Sequence, residues 1–546
     1  MIRVFSAALP VSRAVFFVRL TKRKIYATMF RKNEIKKGEN MKHLRHLLVL
    51  LMVLALALPM LVACNNQPAN STDTSSAGTQ NDTSVPGDES EVNNDVPPEI
   101  VELNREIKIL CWDWSAGSAS IKGYTGEVIS NAEGEASRVD IAKKAVRDAV
   151  EDEYKVTITG QVTNKQSFLD DVKQMVTTGT YECDIVFASG HYAQNFARSS
   201  ALTDLKTIET IHFENSWWDQ NCVNDVSVGG RLFWACGDIN TYDNLGTWCV
   251  LFNKKLKADL AIPDDFYQKA KDGEWTLDYF MEICEGVTQE YDGKSGIDEN
   301  DLWAVGTEKF NVFAQVVGGG IHAISKDEND MPYLTVETAT ERTYAALDKI
   351  VNFYLSDEVM VADGGKFDGK GYSNVWEATV HKAFIEGREL FYICGLINVA
   401  GFREMDDEFG ILPMPKTFAD QDNYYHTVSP GNSSYLMIPY GVPNTDELGL
   451  VIEALAMKSQ EMVTPEFYEM QLKGRDTRDD ESADMLDIIF ATRSFDLGPI
   501  YNWGEIMNCY YTIDTNYASR FDSLSDAATI AIEDFITLME EYVDAE

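Results

Sequence analysis

The chain has 546 residues and a formal net charge of −40, because 87 Asp and Glu residues outnumber 47 Lys and Arg residues. So acidic a surface repels nucleic acid and anionic lipid head groups, which excludes functions that depend on binding either through bulk charge. With 45% hydrophobic and 11% aromatic residues the chain can bury a large core, and its length predicts two lobes or domains.

The N-terminal region contains an unpatterned part and a secretion signal. Residues 1–40 are basic, and Lys37-Gly38-Glu39 can be encoded by a ribosome-binding sequence just upstream of Met41. We therefore expect residues 1–40 to be an extension that precedes the true start. From Met41 the chain has a basic start, an apolar run and a small residue before Cys64, which together predict a secretory signal peptide at 41–63.

The end of this signal, Leu61-Val62-Ala63-Cys64, resembles the bacterial lipobox, whose cysteine is acylated and becomes the new N-terminus. A retained transmembrane helix is the alternative, since residues 47–64 are just long enough to span a bilayer. Pro59 interrupts that run and a polar segment follows it, which favours lipidation. We therefore expect the protein to be held at the extracytoplasmic face of the cell membrane by lipid on Cys64.

The segment after the lipobox has the composition of a linker. Asn65–Pro98 is rich in Asn, Ser, Thr, Asp, Gly and Pro, and it contains no aromatic residue, Lys or Arg. Such a segment cannot bury a core. Residues 64–103 are therefore predicted to be a disordered tether.

The folded body begins near residue 106 with strands that alternate with helices, a pattern typical of a parallel α/β sheet. We predict strands at 107–111, 155–159, 183–187, 231–235 and 247–252, and helices at 137–151, 167–177 and 191–198. The second half is predicted to contain a helix that Thr276 caps, helices at 337–353, 377–384 and 446–457, strands at 389–394 and 435–439, an extended stretch at 409–415, and a mostly helical end at 465–542 with a break at 497–503.

Ligands of open α/β sheets bind beyond the carboxyl ends of the strands. Aromatic rings suit sugars there, because a pyranose has an apolar face for stacking and a rim of hydroxyls for carboxylates and amides. A Trp inside a strand is more often part of a core, and a His at a helix start is often a simple polar residue. The candidates after the strands are Trp112, Asp113, Trp114, His191, Asp238, Asn240 and Tyr242, and further aromatic candidates are Trp248, Trp376 and Trp503.

Motifs for metal, cofactor or nucleophilic chemistry are missing from the sequence. It contains no HExxH, P-loop, dinucleotide fingerprint, calcium loop or GxSxG, so we predict no catalytic residue, metal or cofactor. Apart from Cys64, the eight other cysteines form no CxxC pair, and we interpret them as buried free thiols. A Cys222–Cys236 or Cys236–Cys249 disulfide is left open.

Six pieces of sequence occur in order over about residues 107–457. They are Tyr181–Phe187, Ala201–Leu205, Leu251–Lys254, Ile262-Pro263 with Trp275–Asp278, Ala383–Gly395, and Phe409–Pro415. In this order they resemble the motifs of the extracellular solute-binding proteins of bacterial ABC importers, the maltose-binding-protein-like carbohydrate class. Two positions depart from the family pattern: Ser200 replaces a glycine, and Leu396-Ile397 replaces a tryptophan before the candidate Asn398.

The resemblance implies an α/β, type II periplasmic-binding-protein-like fold, with two hinge-linked lobes and the ligand cleft between them. Lobe one would comprise about 104–238 and 411–460, and lobe two about 239–410 and 461–546. Chain crossings near 237–240, 409–412 and 457–464 would let the lobes close around a ligand, and permease subunits would read the closed form.

The function implied by the resemblance is that of a monomeric, non-catalytic receptor. It would deliver a solute, expected to be an oligosaccharide, to the permease subunits of an ABC importer. One alternative is a surface carbohydrate-active enzyme, which needs two carboxylates about 5–10 Å apart in one cleft. The other is a lipoprotein that senses a ligand or acts as an adhesin.

Overall fold

A computed structural model describes residues 95–116, 126–130, 137–367, 369–402, 405–472 and 480–543. The predicted extension, the signal peptide, Cys64 and residues 64–94 of the predicted tether lie outside this part, so the expectations about them stay predictions. Within the described ranges, no helix combines the length and the apolar character needed to cross a bilayer.

Strands and helices alternate along the first half of the described chain. The elements are β1 (Glu106–Trp112), α1 (Arg138–Tyr154), β2 (Thr157–Thr163), α2 (Phe168–Thr178), β3 (Ile185–Ala188), α3 (Gly190–Ala197), α4 (Gln220–Asp225), α5 (Tyr242–Leu245), β4 (Trp248–Asn253), α6 (Lys254–Asp259), α7 (Phe266–Lys271) and α8 (Leu277–Cys284).

The second half begins with more strands and ends with helices. It contains β5 (Trp303–Thr307), α9 (Phe310–Gly318), β6 (Ile324–Lys326), β7 (Pro332–Leu334), α10 (Thr335–Thr338), α11 (Thr340–Tyr354), β8 (Val359–Val361), a π-helical turn (Glu377–His381), α12 (Lys382–Ile385), β9 (Glu389–Gly395), β10 (Phe409–Leu412), β11 (His426–Thr427), β12 (Tyr435–Met437), α13 (Thr445–Met462), α14 (Thr464–Leu472), α15 (Asp480–Ala491), β13 (Arg493–Ser494), α16 (Leu497–Tyr501) and α17 (Tyr517–Val543).

Two sheets with the same strand arrangement organise the fold. The first has the order β2-β1-β3-β12 and the second the order β8-β5-β9-β4-β10. In each, three parallel strands run second-first-third, and an antiparallel strand pairs with the third. The chain leaves the first sheet after β3 and returns to it at β12, so the sheets define two lobes joined by crossing segments. This topology confirms the α/β class and the two-lobed, type II periplasmic-binding-protein-like arrangement.

Local sequence signals set several helix starts. The Ser137 hydroxyl accepts a hydrogen bond from the N–H of Asp140 at 3.1 Å, and the Asp140 carboxylate accepts one from the N–H of Ser137 at 3.3 Å, which makes a capping box for α1. The predicted cap of α8 is also present, because the Thr276 hydroxyl accepts from the N–H of Tyr279 at 3.3 Å.

Several predicted elements were wrong or missed. The run 231–235 is buried, but it makes isolated bridges, such as Ala235 with Leu436, instead of a regular strand. Its apolar character therefore reflects burial, which periodicity alone cannot assign to a strand. We did not predict β5, α9 or β8, which are short apolar elements between polar loops.

The eight described cysteines are free and buried, which confirms the interpretation of buried thiols. Cys222 and Cys236 share a side-chain hydrogen bond, and so do Cys249 and Cys394, which lie opposite each other in β4 and β9. The open Cys222–Cys236 pairing is therefore a contact between thiols, and Cys249 contacts Cys394 instead of Cys236.

Two boundaries of the predicted domains differ from the contacts of the described chain. Residues 413–424 hydrogen-bond to lobe-two elements, for example Leu277 N–H to Lys416 carbonyl at 2.7 Å. Helix α14 contacts α1 of lobe one, and its Glu466 forms an ion pair with Arg138 at 2.6 Å. We therefore propose that 413–424 belongs to lobe two and 464–472 to lobe one.

The last residues of the predicted tether lie against the body. Asp95 and Val96 hydrogen-bond to residues 215–216, and the N–H of Leu103 donates to the Tyr154 carbonyl at 2.8 Å. The expected disorder of the tether is therefore wrong for these residues, which have hydrogen-bond partners in the body. Composition does not reveal such partners.

Candidate functional site

An aromatic group occupies the carboxyl ends of β1 and β3 in lobe one. Trp112 ends β1, and its ring centroid lies 4.7 Å from that of Tyr192 and 5.3 Å from that of Phe168. Asp113 accepts hydrogen bonds from the N–H and the hydroxyl of Ser115, at 2.8 and 2.6 Å. The strand ends are therefore neighbours, as predicted, and the Asp113 carboxylate is engaged in a local turn.

A separate apolar cluster, which we name the aromatic bridge, consists of Trp114, Tyr242 and Ile397. The ring centroids of Trp114 and Tyr242 are 4.5 Å apart, with 36° between the ring planes. The Trp114 indole N–H also donates to the carbonyl of Gly431 at 3.2 Å. Trp114 follows β1, Tyr242 lies between the two sheets in the chain, and Ile397 follows β9. The bridge therefore joins lobe one, a crossing and lobe two.

Tyr242 is positioned by a buried ion pair beneath the first crossing. Glu127 is fully buried and accepts hydrogen bonds from the N–H groups of Thr241 and Tyr242, at 3.2 and 3.0 Å. The Lys143 ammonium donates to Glu127 at 2.9 Å and to the Thr241 hydroxyl at 2.7 Å. Burial, with a smaller contribution from the charge of Glu127, raises the pKa of the Tyr242 hydroxyl, which keeps it a neutral phenol.

A cavity of about 440 Å³ is lined in part by loop 429–431, whose Gly431 carbonyl accepts the hydrogen bond from Trp114 of the bridge. The loop is fixed to lobe one because the N–H of Gly190 donates to the Pro430 carbonyl at 2.8 Å. Desolvation lowers the pKa of His191, which favours its neutral form. The volume falls in the range of small-molecule pockets. The wall includes His191, Gln194, Phe310, Tyr501, Asn502 and Tyr511.

Asp238 and Asn240 lie on the first crossing and fasten it. The Asp238 carboxylate accepts a hydrogen bond from the Thr464 hydroxyl, and burial raises the pKa of Asp238 to about 6. The Asn240 amide donates to the Ser434 carbonyl at 2.9 Å, and Asn240 is buried. Both side chains therefore have partners at the crossing, and neither belongs to the aromatic bridge.

Arg493 connects the crossings to lobe one. Its strand, β13, pairs with β11 in parallel, so residues 493–494 run beside residues 426–427. The guanidinium is buried, donates to Asp243 at 2.8 Å and forms an ion pair with Asp219 at the start of α4. This planar group therefore fixes three segments at once.

Trp248 and Asn398 stand at the carboxyl end of lobe two's parallel strands. The Trp248 indole N–H donates to the Asn311 side chain at 2.5 Å, and its ring lies 4.9 Å from that of Phe310, which lines the cavity. Asn398 donates to the Gly395 carbonyl at 3.2 Å and directly follows Ile397 of the bridge. Both therefore lie next to the bridge or the cavity.

Trp376 and Trp503 belong to other aromatic groups. Trp376 stacks on His381 at 4.2 Å and donates to the Tyr392 hydroxyl at 2.7 Å, within a cluster of lobe two. Trp503 stacks on Tyr501 at 4.3 Å, with 2° between the ring planes, and is buried in the main core. Since Tyr501 lines the cavity, Trp503 backs its wall, whereas Trp376 has no described contact with the bridge.

Sequence reasoning missed several residues of this region. Gly431 belongs to no recognisable motif, and Ile397 was noted only as a departure from the family pattern. Their role depends on contacts with residues that are distant in sequence. Glu308 follows the unpredicted strand β5, at the same sheet edge as the bridge residue Ile397. Burial, and then the charge of Asp363, raises the pKa of Glu308 to about 7. An apolar run followed by Glu308-Lys309 was the signal that could have revealed this strand end.

One group of carboxylates in the described ranges is close enough to share a cation. Glu290, Asp292 and Asp301 have ligand atoms within 4.8 Å of one another. Asp301 already accepts hydrogen bonds from the N–H groups of Tyr291 and Asp298, both at 2.7 Å. These bonds organise an acidic loop, and nothing further points to a metal.

Comparison with known proteins finds neither a matching family model nor a matching curated protein. Among solved structures, the chain is similar to an ABC substrate-binding protein of Listeria monocytogenes in complex with cycloalternan, at 9% identity and TM-score 0.46, over 80% of this chain and 99% of that one. It is also similar to the GacH receptor of Streptomyces glaucescens, at 13% identity and TM-score 0.45, over 80% of this chain and 99% of that one. A third similar structure is a sugar transporter of Rhizobium etli in an open conformation, at 13% identity and TM-score 0.49, over 79% of this chain and 99% of that one.

Proposed function

We propose that the protein is an extracytoplasmic receptor that encloses an oligosaccharide between its lobes and delivers it to the permease subunits of an ABC importer. The aromatic bridge supports this proposal most directly, because it presents stackable rings at the junction of the two lobes. Amide and hydroxyl groups of Gln194, Asn502 and Ser429 stand at the adjoining cavity, where they can pair with sugar hydroxyls.

The two-sheet topology supports this proposal, because segments that cross between two lobes can act as a hinge. The lobes are joined by short crossings, and closure by hinge bending buries a ligand between them. At a centroid separation of 4.5 Å, Trp114 and Tyr242 touch each other. We therefore propose that a sugar ring takes the place of one of these contacts when it binds, so that the bridge opens and re-forms around the ligand.

Thermal unfolding and tryptophan fluorescence with a panel of neutral oligosaccharides test the proposal. At a hundredfold excess over Kd, a bound glycan should add about 2.7 kcal/mol to the free energy of unfolding. Trp114→Ala should abolish this gain, whereas Tyr440→Ala, an exposed ring on lobe one, should leave it unchanged. A folded sample that no glycan stabilises, or equal gains in Trp114→Ala and wild type, would contradict the proposal.

The carbohydrate-active enzyme remains a second candidate because of Glu308. Its pKa of about 7 and its proximity to the Asp363 charge are typical of a general acid beside a second carboxylate. The receptor proposal predicts no release of reducing sugar from any glycan that binds. Release that disappears in Glu308→Gln, while Asp406→Asn retains it, would support the enzyme instead.

The proposed location and assembly follow from the sequence. We propose that lipid on Cys64 holds a monomer at the membrane, which confines it near its permease. Wild type should fractionate with membranes, and Cys64→Ser should be released as a soluble monomer in size-exclusion chromatography. Firm retention of Cys64→Ser would indicate an uncleaved helix.

A further inference from the structure

The described chain begins beside the crossings, and its first residues are fixed there. Val96 donates its N–H to the Asn215 side chain at 2.8 Å, and the Asn215 amide donates back to the Val96 carbonyl at 3.2 Å. Ser216 donates its N–H and its hydroxyl to the Asp95 carboxylate, at 2.8 and 2.6 Å. We name residues 95–98 the strap and residues 215–218 the receiving turn.

The receiving turn is held by a buried carboxylate. Glu453 is fully buried, and it accepts hydrogen bonds from the Asn215 amide at 3.0 Å and from the indole N–H groups of Trp217 and Trp218 at 2.8 and 2.7 Å. Such charge-assisted bonds fix the donors closely. Asn215 therefore connects the strap to a rigid anchor in lobe one.

The receiving turn also contacts the crossings. The N–H of Asp238 donates to the Trp217 carbonyl at 2.8 Å, and Trp218 forms a bridge with Gly237. A Cβ at Gly237 would lie 2.3 Å from the Trp217 carbonyl oxygen, so the turn and the crossing are in direct contact at this glycine. Gln460, near the end of α13, donates to the Ser216 hydroxyl at 3.2 Å. Movement of the turn must therefore displace the crossing.

We propose that the strap couples the membrane tether to the hinge: when bound to the receiving turn, it fixes the first crossing and limits how far the lobes open. This coupling goes beyond ligand binding, and it rests on the proposed function for the hinge motion and for the attachment of the tether to the membrane. Coupling of this kind is reciprocal, so closure of the lobes must also change how tightly the turn holds the strap.

A double-mutant cycle tests the contact in the chain from residue 64 onward, with Cys64→Ser to keep it soluble. Asp95→Ala and Ser216→Ala should each raise the equilibrium constant for unfolding about fivefold. The double variant should raise it no further than either single change does. Val96→Pro, which removes the donated N–H, should weaken the protein similarly, whereas Val96→Ala retains that N–H. Glu99→Ala, an exposed change in the same segment, should have no effect.

The distance between the lobes tests the link to the hinge. Spin labels at Thr177→Cys on α2 and Glu282→Cys on α8 report this distance by electron–electron resonance, and the described native cysteines are buried and will not react. Without any ligand, Asp95→Ala and Val96→Pro should broaden the distribution toward longer distances, and Val96→Ala and Glu99→Ala should reproduce wild type.

Two results would overturn the inference. Independent effects of Asp95→Ala and Ser216→Ala would show that the strap contact carries no energy. Coupled effects with an unchanged distance distribution would show that the strap fastens lobe one without influencing the hinge. Because both measurements omit ligand, they can fail while glycan binding succeeds, and the reverse also holds.

Discussion

Two buried glutamates, one near the crossings and one inside lobe two, differ in the hydrogen-bond donors that surround them. Glu453 accepts hydrogen bonds from the N–H of His212 at 3.0 Å and from three side chains of the receiving turn. Glu389 in β9 is also fully buried, but neither of its carboxyl oxygens has a hydrogen-bond partner among the described residues. Desolvation is the main cause that raises the pKa of both.

The difference shows where polar groups organise the molecule. Near the crossings, buried carboxylates accept hydrogen bonds from several segments of the chain, and these bonds fix the relative positions of the segments. In lobe two, apolar packing positions the strands, and Glu389 is accommodated because Gly306 leaves space: a Cβ there would lie 2.3 Å from either carboxyl oxygen. The crossings should therefore be sensitive to loss of a polar group, and lobe two should tolerate or gain from it.

The largest expected effect comes from Lys143→Met, which leaves the Glu127 carboxylate buried without its cation. Removing one partner of a buried ion pair costs about 3–5 kcal/mol of unfolding free energy, which urea denaturation measures. Lys144→Met is the matched control, because its exposed pair with Asp148 is worth about 0.5 kcal/mol or less. Equal losses in the two variants would contradict the role given to the pair.

Glu453→Gln should have the next largest effect on the free energy of unfolding. The side-chain amide of the glutamine brings N–H donors against the N–H donors of the receiving turn, which Glu453 accepts from in wild type. Hydrogen bonds to charged groups contribute about 1.5–3 kcal/mol, so urea denaturation should show a loss of that order. Glu461→Gln, an exposed change on the same helix, should be neutral. A neutral Glu453→Gln would mean that geometry alone holds the turn.

Glu389→Met should stabilise the protein, by about 1–3 kcal/mol at pH 7, because it removes unpartnered buried oxygens. The sign with pH follows from the raised pKa: the folded state keeps a proton that the unfolded state releases above its ordinary pKa of 4.5. The free energy of unfolding of wild type therefore falls by up to about 1.4 kcal/mol per pH unit between the pKa of Glu389 in the unfolded state and its pKa in the folded state. The variant has no such dependence on pH.

Denaturation of both proteins at pH 5 and pH 8 separates this effect from a general change in packing. The advantage of Glu389→Met should grow with pH, whereas Glu282→Met, at an exposed position of lobe two, should show no such growth. An advantage that is constant with pH would indicate that Glu389 is not the group that titrates.

The same contrast explains what the sequence could predict. Periodicity and caps located β1, α1 and α8, because those signals are local, as at Ser137 and Thr276. The strand-end rule pointed to Trp114 after β1, and Trp114 is a member of the aromatic bridge. Tyr242 was reached from the expected strand at 231–235, which is not a regular strand, so its place in the bridge does not follow from that rule. Their shared surroundings could not be predicted, because the partners Ile397 and Gly431 are brought there only by the fold.

Buried polar partners were the least predictable feature. Nothing in the sequence distinguishes Glu453 or Glu127, which have donors, from Glu389, which has none, since all three lie among apolar residues or helical positions. A glutamate's role depends on which distant N–H groups the fold brings to it, and a composition of 87 Asp and Glu residues does not set these three apart from the others.

The smallest effects should come from two Thr→Val changes of identical shape. Thr464 donates to Asp238 on the first crossing, so Thr464→Val should cost about 0.5–1.5 kcal/mol. The hydroxyl of Thr343, buried in α11, has no hydrogen-bond partner among the described residues, so Thr343→Val should be neutral or stabilising by up to about 1 kcal/mol.

The pH dependence of this pair makes the comparison specific. Burial raises the pKa of Asp238 to about 6, and the Thr464 hydroxyl opposes this rise because it favours the ionised carboxylate. The loss in Thr464→Val should therefore be larger at pH 8 than at pH 5, where Asp238 is protonated in both proteins. Thr343→Val should show the same difference from wild type at both values. If Thr464→Val behaved like Thr343→Val, polar groups at the crossings would hold the segments no more firmly than those in lobe two.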